Sequence, residues 1–77
     1  MSLNTDLPVE QRINRLKVVL AEKNRTGKWL AEKLGKNEAT VSRWCSNSAQ
    51  PSLEVLIKIA EILKVEPGKL LNNKEII

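Results

Sequence analysis

The chain has 77 residues and a mass of 8.7 kDa, which is enough for one small domain with a modest core. It contains no histidine and a single cysteine, which excludes an intrachain disulfide and a zinc site built from cysteines and histidines. We therefore expect no metal and no cofactor, and a lone free thiol fits a reducing, cytoplasmic location.

No segment has the length or composition of a membrane anchor or a signal peptide. The longest apolar run is Val18-Val19-Leu20-Ala21, far short of the roughly 20 residues that span a bilayer. The first six residues lack a basic segment followed by an apolar one. We expect no contact with a membrane and, in so short a chain, no domain for a small-molecule ligand.

The first predicted helix runs from about Pro8 to Lys23. Val9, Ile13, Leu16 and Leu20 recur at helical spacing and would form one apolar stripe. Pro8 suits the first turn of a helix, where a missing N–H has no cost.

Two short helices are predicted next, joined by three residues. Thr26 is the expected N-cap of the second helix, whose inner face holds Leu30, Ala31 and Leu34, and Gly35 ends it. Asn37 would cap the third helix, with Val41 and Trp44 pointing inward and Asn47 closing it in a left-handed conformation.

The fourth predicted helix extends from Leu53 to about Lys64 after a Ser52 cap. It is apolar around most of its circumference apart from a stripe of Glu54, Lys58 and Glu61, which favours a helix that is central or buried on two sides. Pro67 would begin a last short helix that carries Leu70 and Leu71.

The whole positive excess of +4 lies in residues 23–43, where six basic side chains accompany two acidic ones. Such a window is either an ordinary solvated surface or a local footprint for a polyanion. The linker between the second and third helices lies inside it, and a linker of only Gly35-Lys36-Asn37 makes the two helices cross steeply, with the small Ala31 at the crossing.

Residues 13–71 resemble the phage-repressor/Cro (XRE-type, lambda-repressor-like) helix-turn-helix proteins. The resemblance rests on motifs that occur in register: Leu30-Ala31, Leu34-Gly35, Thr40-Val41-Ser42-Arg43-Trp44 and Pro51-Ser52-Leu53, followed by Leu56, Ile59-Ala60 and Leu63. It implies one all-α domain over residues 1–77, a compact five-helix bundle with a core over about 8–71 and flexible ends at 1–6 and 72–77.

The resemblance implies sequence-specific binding of double-stranded DNA, as a small bacterial or phage-encoded transcriptional regulator and a repressor by type, associated with the nucleoid. A protein-binding module on the same fold, such as an antitoxin or a coregulator, is the alternative. With no histidine, no glycine-rich phosphate loop and no paired carboxylates, an enzyme is not expected.

Base contacts are expected from the outward residues of the third helix: Glu38, Ala39, Thr40, Ser42 and Arg43. Arg43 could read a guanine, contact a phosphate or pair with Glu38 or Glu32. Phosphate contacts are expected from the start of the second helix, from the turn and from the loop after the third helix: Arg25, Thr26, Gly27, Lys28, Lys36, Asn37, Ser46, Asn47, Ser48 and Gln50.

Family members usually form dimers, for which the expected interface here is Val55, Ile59, Ile62, Leu70, Leu71, Ile76 and Ile77. A monomer, in which the first and last helices cover that surface, is the alternative. The chain also departs from the family pattern. Gly27 stands where glutamine is common, Lys36 where an apolar residue is usual, and Asn47 where glycine is frequent.

Overall fold

The computed structural model describes residues 12–72. Their helices are α1 Leu16–Glu22, α2 Gly27–Leu34, α3 Glu38–Cys45, α4 Leu53–Leu63 and a 3₁₀ helix over Pro67–Leu70. The predicted all-α class is confirmed, although the fifth helix is a single 3₁₀ turn. The predictions for the segment 1–6, for Pro8 and Val9 and for the tail beyond residue 72 lie outside the described residues.

The first helix is shorter at its start than the apolar spacing predicts, because residues 12–15 are not helical. Asn14 forms an isolated antiparallel bridge with Leu71. Two main-chain hydrogen bonds flank this bridge, from Arg15 N to Leu70 O at 2.8 Å and from Asn72 N to Ile13 O at 2.7 Å. Ile13 is consequently 57% exposed and does not continue the buried stripe of Leu16 and Leu20.

The three predicted N-caps are confirmed. Thr26 Oγ1 accepts from Trp29 N at 3.0 Å, Asn37 Oδ1 from Ala39 N at 2.7 Å and Ser52 Oγ from Val55 N at 3.2 Å. Each bond satisfies an amide that the first helical turn leaves without an intrahelical acceptor, a contribution of about 1 kcal/mol.

Left-handed residues follow α2, α3 and α4, where the chain changes direction. Gly35 has φ +67°, as the sequence predicts, and Asn47 has φ +65°. Lys64, the C-cap of α4, takes φ +59° although it carries a Cβ. Glycine and asparagine adopt this conformation readily, whereas it is unfavourable for lysine.

A single core of aliphatic side chains and one tryptophan holds the helices together. Its members lie on every helix: Leu16, Val19, Leu20, Leu30, Ala31, Val41, Trp44, Leu56, Ile59, Ala60, Leu63 and Leu70. Helix α4 buries Leu56, Ile59, Ala60 and Leu63. It does not bury the whole of its apolar circumference, since Leu53 is 71% and Ile57 43% exposed. Within residues 12–72 no helix combines the length and apolar character needed to cross a membrane.

Candidate nucleic-acid interface

Helices α2 and α3 are joined by the tight turn that the sequence predicts. Lys36 N donates to Ala31 O at 2.9 Å across the left-handed Gly35, and Asn37 then caps α3. The helices approach closely near the start of α2, where a Cβ added to Gly27 would lie 3.5 Å from Val41 Cγ1. This arrangement fixes the direction in which the outer face of α3 points.

The outer face of α3 is open to solvent. Glu38, Ala39, Ser42 and Arg43 are exposed and Thr40 is half-buried, while Val41 and Trp44 are buried in the core. An eight-residue helix is about 12 Å long and carries a protruding row of side chains. The major groove of B-DNA is about 12 Å wide and admits such a helix.

The start of α2 lies beside this face. An open groove of about 560 Å³ is lined by residues of α1, α2 and α3 and of the segment before α2: Lys17, Leu20, Ala21, Arg25, Thr26, Gly27, Lys28, Glu38, Ser42 and Cys45. The N–H groups of Gly27 and Lys28 belong to the first turn of α2, where amides have no intrahelical acceptor and the helix dipole is positive. The groove therefore places two backbone donors and three cationic side chains, Lys17, Arg25 and Lys28, along its length. Lys17 was not among the predicted contacts, because the apolar stripe of the first helix gives no signal for it.

Arg25, Lys36 and Asn37 are exposed, but each has neighbours that bear on the predicted phosphate contacts. The guanidinium of Arg25 lies over the Trp29 ring, with Cζ 4.6 Å from the ring centroid. Lys36 lines a shallow groove toward α4 with Leu34, Glu54, Val55 and Lys58. The side chain of Asn37 is engaged in its capping bond.

The loop after α3 is tied to the end of that helix. The hydroxyl groups of Ser46 and Ser48 donate to Arg43 O at 3.2 and 3.3 Å and lie 2.8 Å apart. Gln50 is exposed, yet its side chain accepts from Asn14 Nδ2 at 2.7 Å. Ser48 and Gln50 thus reach the surface with their polar groups already bonded within the chain.

Asn47 corrects one sequence prediction, since its side chain is buried and not available to a phosphate. It is 6% exposed. Its Oδ1 accepts from Ile13 N at 2.8 Å and Asn14 N at 2.9 Å, and its Nδ2 donates to Asn14 O at 3.1 Å. The sequence signal was Asn in a left-handed turn, which predicts the turn but not partners more than 30 residues away.

The predicted subunit interface is corrected at two positions. Ile59 and Leu70 are fully buried in the core of the single chain and have no surface to offer a partner. Val55 and Ile62 are half-buried, Leu71 is 42% exposed, and Ile76 and Ile77 lie outside the described residues. Leu53 and Ile57, which were not predicted to form the interface, share the exposed flank of α4.

Comparisons with known proteins agree with this geometry. The family model described as "Helix-turn-helix" matches residues 16–70. A crystal structure of a candidate DNA-binding protein from Bacteroides fragilis is similar to this chain, at 63% sequence identity and a TM-score of 0.76. That similarity covers 77% of this chain and 95% of the other. No curated protein matches the chain.

Proposed function

This chain belongs to the helix-turn-helix family, whose members bind DNA and are not enzymes, and we propose that it is a transcriptional regulator that binds specific double-stranded DNA sites. In this proposal the protein lies in the bacterial cytoplasm and inserts α3 into the major groove of an operator. Once bound there, it blocks transcription. The observation that carries the proposal is the exposed outer face of α3 beside the cationic start of α2.

In this proposal the exposed residues of α3 recognise the base sequence of the DNA. Arg43 can donate two parallel hydrogen bonds to a guanine, the commonest specific contact in the major groove. Ala39 and the methyl group of Thr40 suit a thymine methyl group, and Ser42 can bond to several bases. Glu38 can accept from a cytosine amino group and repels phosphates that come too close.

In this proposal the start of α2 positions the protein on the duplex through contacts to phosphates. Thr26, Gly27 and Lys28 lie where the helix dipole and the first-turn amides favour an anion. Arg25, Lys36, Asn37, Ser46, Ser48 and Gln50 are further candidates for contacts to the backbone, which carry register but no direct sequence information. Asn47 supports this surface from inside the fold.

The experiment is selection of sites from a random duplex library, followed by titrations of the selected site at several salt concentrations. We expect Arg43→Ala to relax preference at one base pair, a loss of about 1–3 kcal/mol of discrimination. We expect Lys28→Ala to weaken binding to all duplex sequences alike. It should also lower the slope of log affinity against log salt concentration by about one in magnitude.

Lys58→Ala is the matched control, because Lys58 is exposed on the polar stripe of α4 and its substitution removes the same single positive charge. If Arg43→Ala and Lys28→Ala both bind DNA as the control does, the proposed face is wrong. Duplex binding that does not weaken with salt would also contradict the proposal.

We further propose that the chain acts as a symmetric dimer on two half-sites about 34 Å apart. Support comes from Leu53 and Ile57, which lie four residues apart on the exposed flank of α4, and from the partly exposed Leu71. The test is the molecular mass in solution for the wild type and for Leu53→Glu/Ile57→Glu. A dimer that the double substitution leaves intact would contradict this interface, and a wild-type monomer at every concentration would contradict the dimer.

A further inference from the structure

A second groove, of about 570 Å³, lies between the ends of α1 and α4 and the outer face of α2. It is lined by four cationic residues: Lys23, Arg25, Lys33 and Lys64. Glu61 offsets one of these charges. Lys64 lies outside the basic window of residues 23–43, so folding gathers a denser cationic cluster than the sequence alone indicates.

The floor of this groove is apolar and partly accessible. The half-buried Trp29 and Ile62 line it together with Leu63. Arg25 Cζ and Lys33 Nζ lie 4.6 and 5.8 Å from the centroid of the Trp29 ring, within the range of cation–π attraction. The aromatic ring therefore holds two of the cations close to the apolar floor.

The groove faces away from α3. On α2, Trp29 and Lys33 share one face, while Gly27 lies against Val41 of α3. Trp29 is two positions along α2 from Gly27, which places it roughly 160° around the helix axis. Arg25 lines both this groove and the groove at the start of α2, whereas Lys23, Lys33 and Lys64 do not line the groove at the start of α2. Most of the cations in this groove are therefore separate from the surface proposed for the duplex.

We propose that this groove binds an acidic peptide segment of another protein. Its carboxylates would pair with Lys23, Arg25, Lys33 and Lys64, and an apolar side chain would lie on Trp29 and Ile62. DNA matches the charge of the groove but has no side chain to cover its apolar floor, and the orientation away from α3 also favours a protein. The proposal does not require that the chain bind DNA, and its test uses Lys33 and Lys64, which do not line the groove at the start of α2.

The probe is a fluorescein-labelled peptide of Glu-Glu-Leu repeats, with Gln-Gln-Leu repeats as the uncharged comparison, followed by fluorescence anisotropy at low salt. We expect the folded wild type to bind the acidic peptide only. Lys33→Glu/Lys64→Glu should weaken that binding about tenfold, because two exposed charges that attract the peptide now repel it.

Lys58→Glu/Lys69→Glu is the matched control, since these exposed lysines lie outside the groove and the change in net charge is identical. This control should weaken peptide binding by no more than about twofold, given the screening of distant surface charges. Equal peptide affinities for the two double variants would overturn the proposal. So would a loss of duplex affinity in the groove variant alone with peptide binding intact, which would assign the groove to flanking DNA.

Discussion

The side chain of Asn47 pairs with the main chain of Asn14 in both directions, as acceptor from its N–H at 2.9 Å and as donor to its C=O at 3.1 Å. The side chain of Asn14 also bonds to α3, since its Nδ2 donates to Trp44 O at 2.9 Å. These bonds attach the segment before α1 to the end of α3. The outer face of α3 is thereby held by hydrogen bonds as well as by the burial of Val41 and Trp44.

Two substitutions of Asn47, to glycine and to alanine, should lower the free energy of unfolding by different amounts. Asn47→Gly keeps a residue that tolerates φ +65° but removes the side chain's hydrogen bonds, leaving buried main-chain groups of Asn14 without a partner, and we expect a loss of about 2–3 kcal/mol. Asn47→Ala should lose about 1 kcal/mol more, since its Cβ makes the left-handed conformation unfavourable. Chemical denaturation of both variants measures the difference.

Asn37→Ala is a useful comparison, because this exposed asparagine makes one capping bond and should lose only about 1 kcal/mol. If Asn47→Gly were no more destabilising than Asn37→Ala, the buried bonds of Asn47 would contribute little to the fold.

Local signals predicted the middle of the fold well. The N-caps Thr26, Asn37 and Ser52 and the turn at Gly35 are each determined by a few neighbouring residues, so the sequence marks them directly. The same holds for the exposed outer face of α3, since the spacing of Val41 and Trp44 defines the inner one.

Features that depend on distant residues could not be predicted in the same way. Ile13 and Leu16 have the spacing of a helix in the sequence. The main chain at residues 12–15 nevertheless pairs with residues 70–72 instead of forming a helical turn. Ile59 and Leu70 were apolar, as an interface requires, and only the packing shows that the core of the same chain covers them. The gathering of Lys64 with Trp29 likewise requires the fold.

Gly35→Ala should destabilise the protein through the backbone alone. A Cβ at this position meets nothing within 4 Å, while φ is +67°, so we expect a loss of about 1–2 kcal/mol from strain in the turn. Thermal unfolding measures it, and Gly35→Asn should recover part of the loss because asparagine adopts this conformation more easily. An alanine variant as stable as the wild type would contradict the assigned conformation.

Lys64→Gly should stabilise the fold, in contrast to most glycine substitutions. Lys64 takes φ +59° at the C-cap of α4, where glycine avoids the penalty of the Cβ, and we expect a gain of about 0.5–1 kcal/mol after the greater flexibility of the unfolded chain is included. Denaturant unfolding provides the measurement. Lys58→Gly, in the interior of the same helix, should instead lose about 1 kcal/mol, and a gain at position 58 or a loss at position 64 would contradict this explanation.

Gly27→Gln should strengthen binding to DNA without disturbing the fold. A Cβ at position 27 would lie 3.5 Å from Val41 Cγ1, an ordinary contact, and the side chain would extend from the first turn of α2 into the groove that also contains Lys28 and Glu38. Glutamine is common at this position in the proteins that this chain resembles, and one added hydrogen bond to a phosphate is worth about 1–2 kcal/mol, or roughly fivefold to thirtyfold in affinity. Gly27→Ala is the control, because it also adds a Cβ and raises helix propensity relative to glycine but adds no donor. Titration of the selected duplex with both variants should separate them, and equal affinities would show that no phosphate comes within reach of this position.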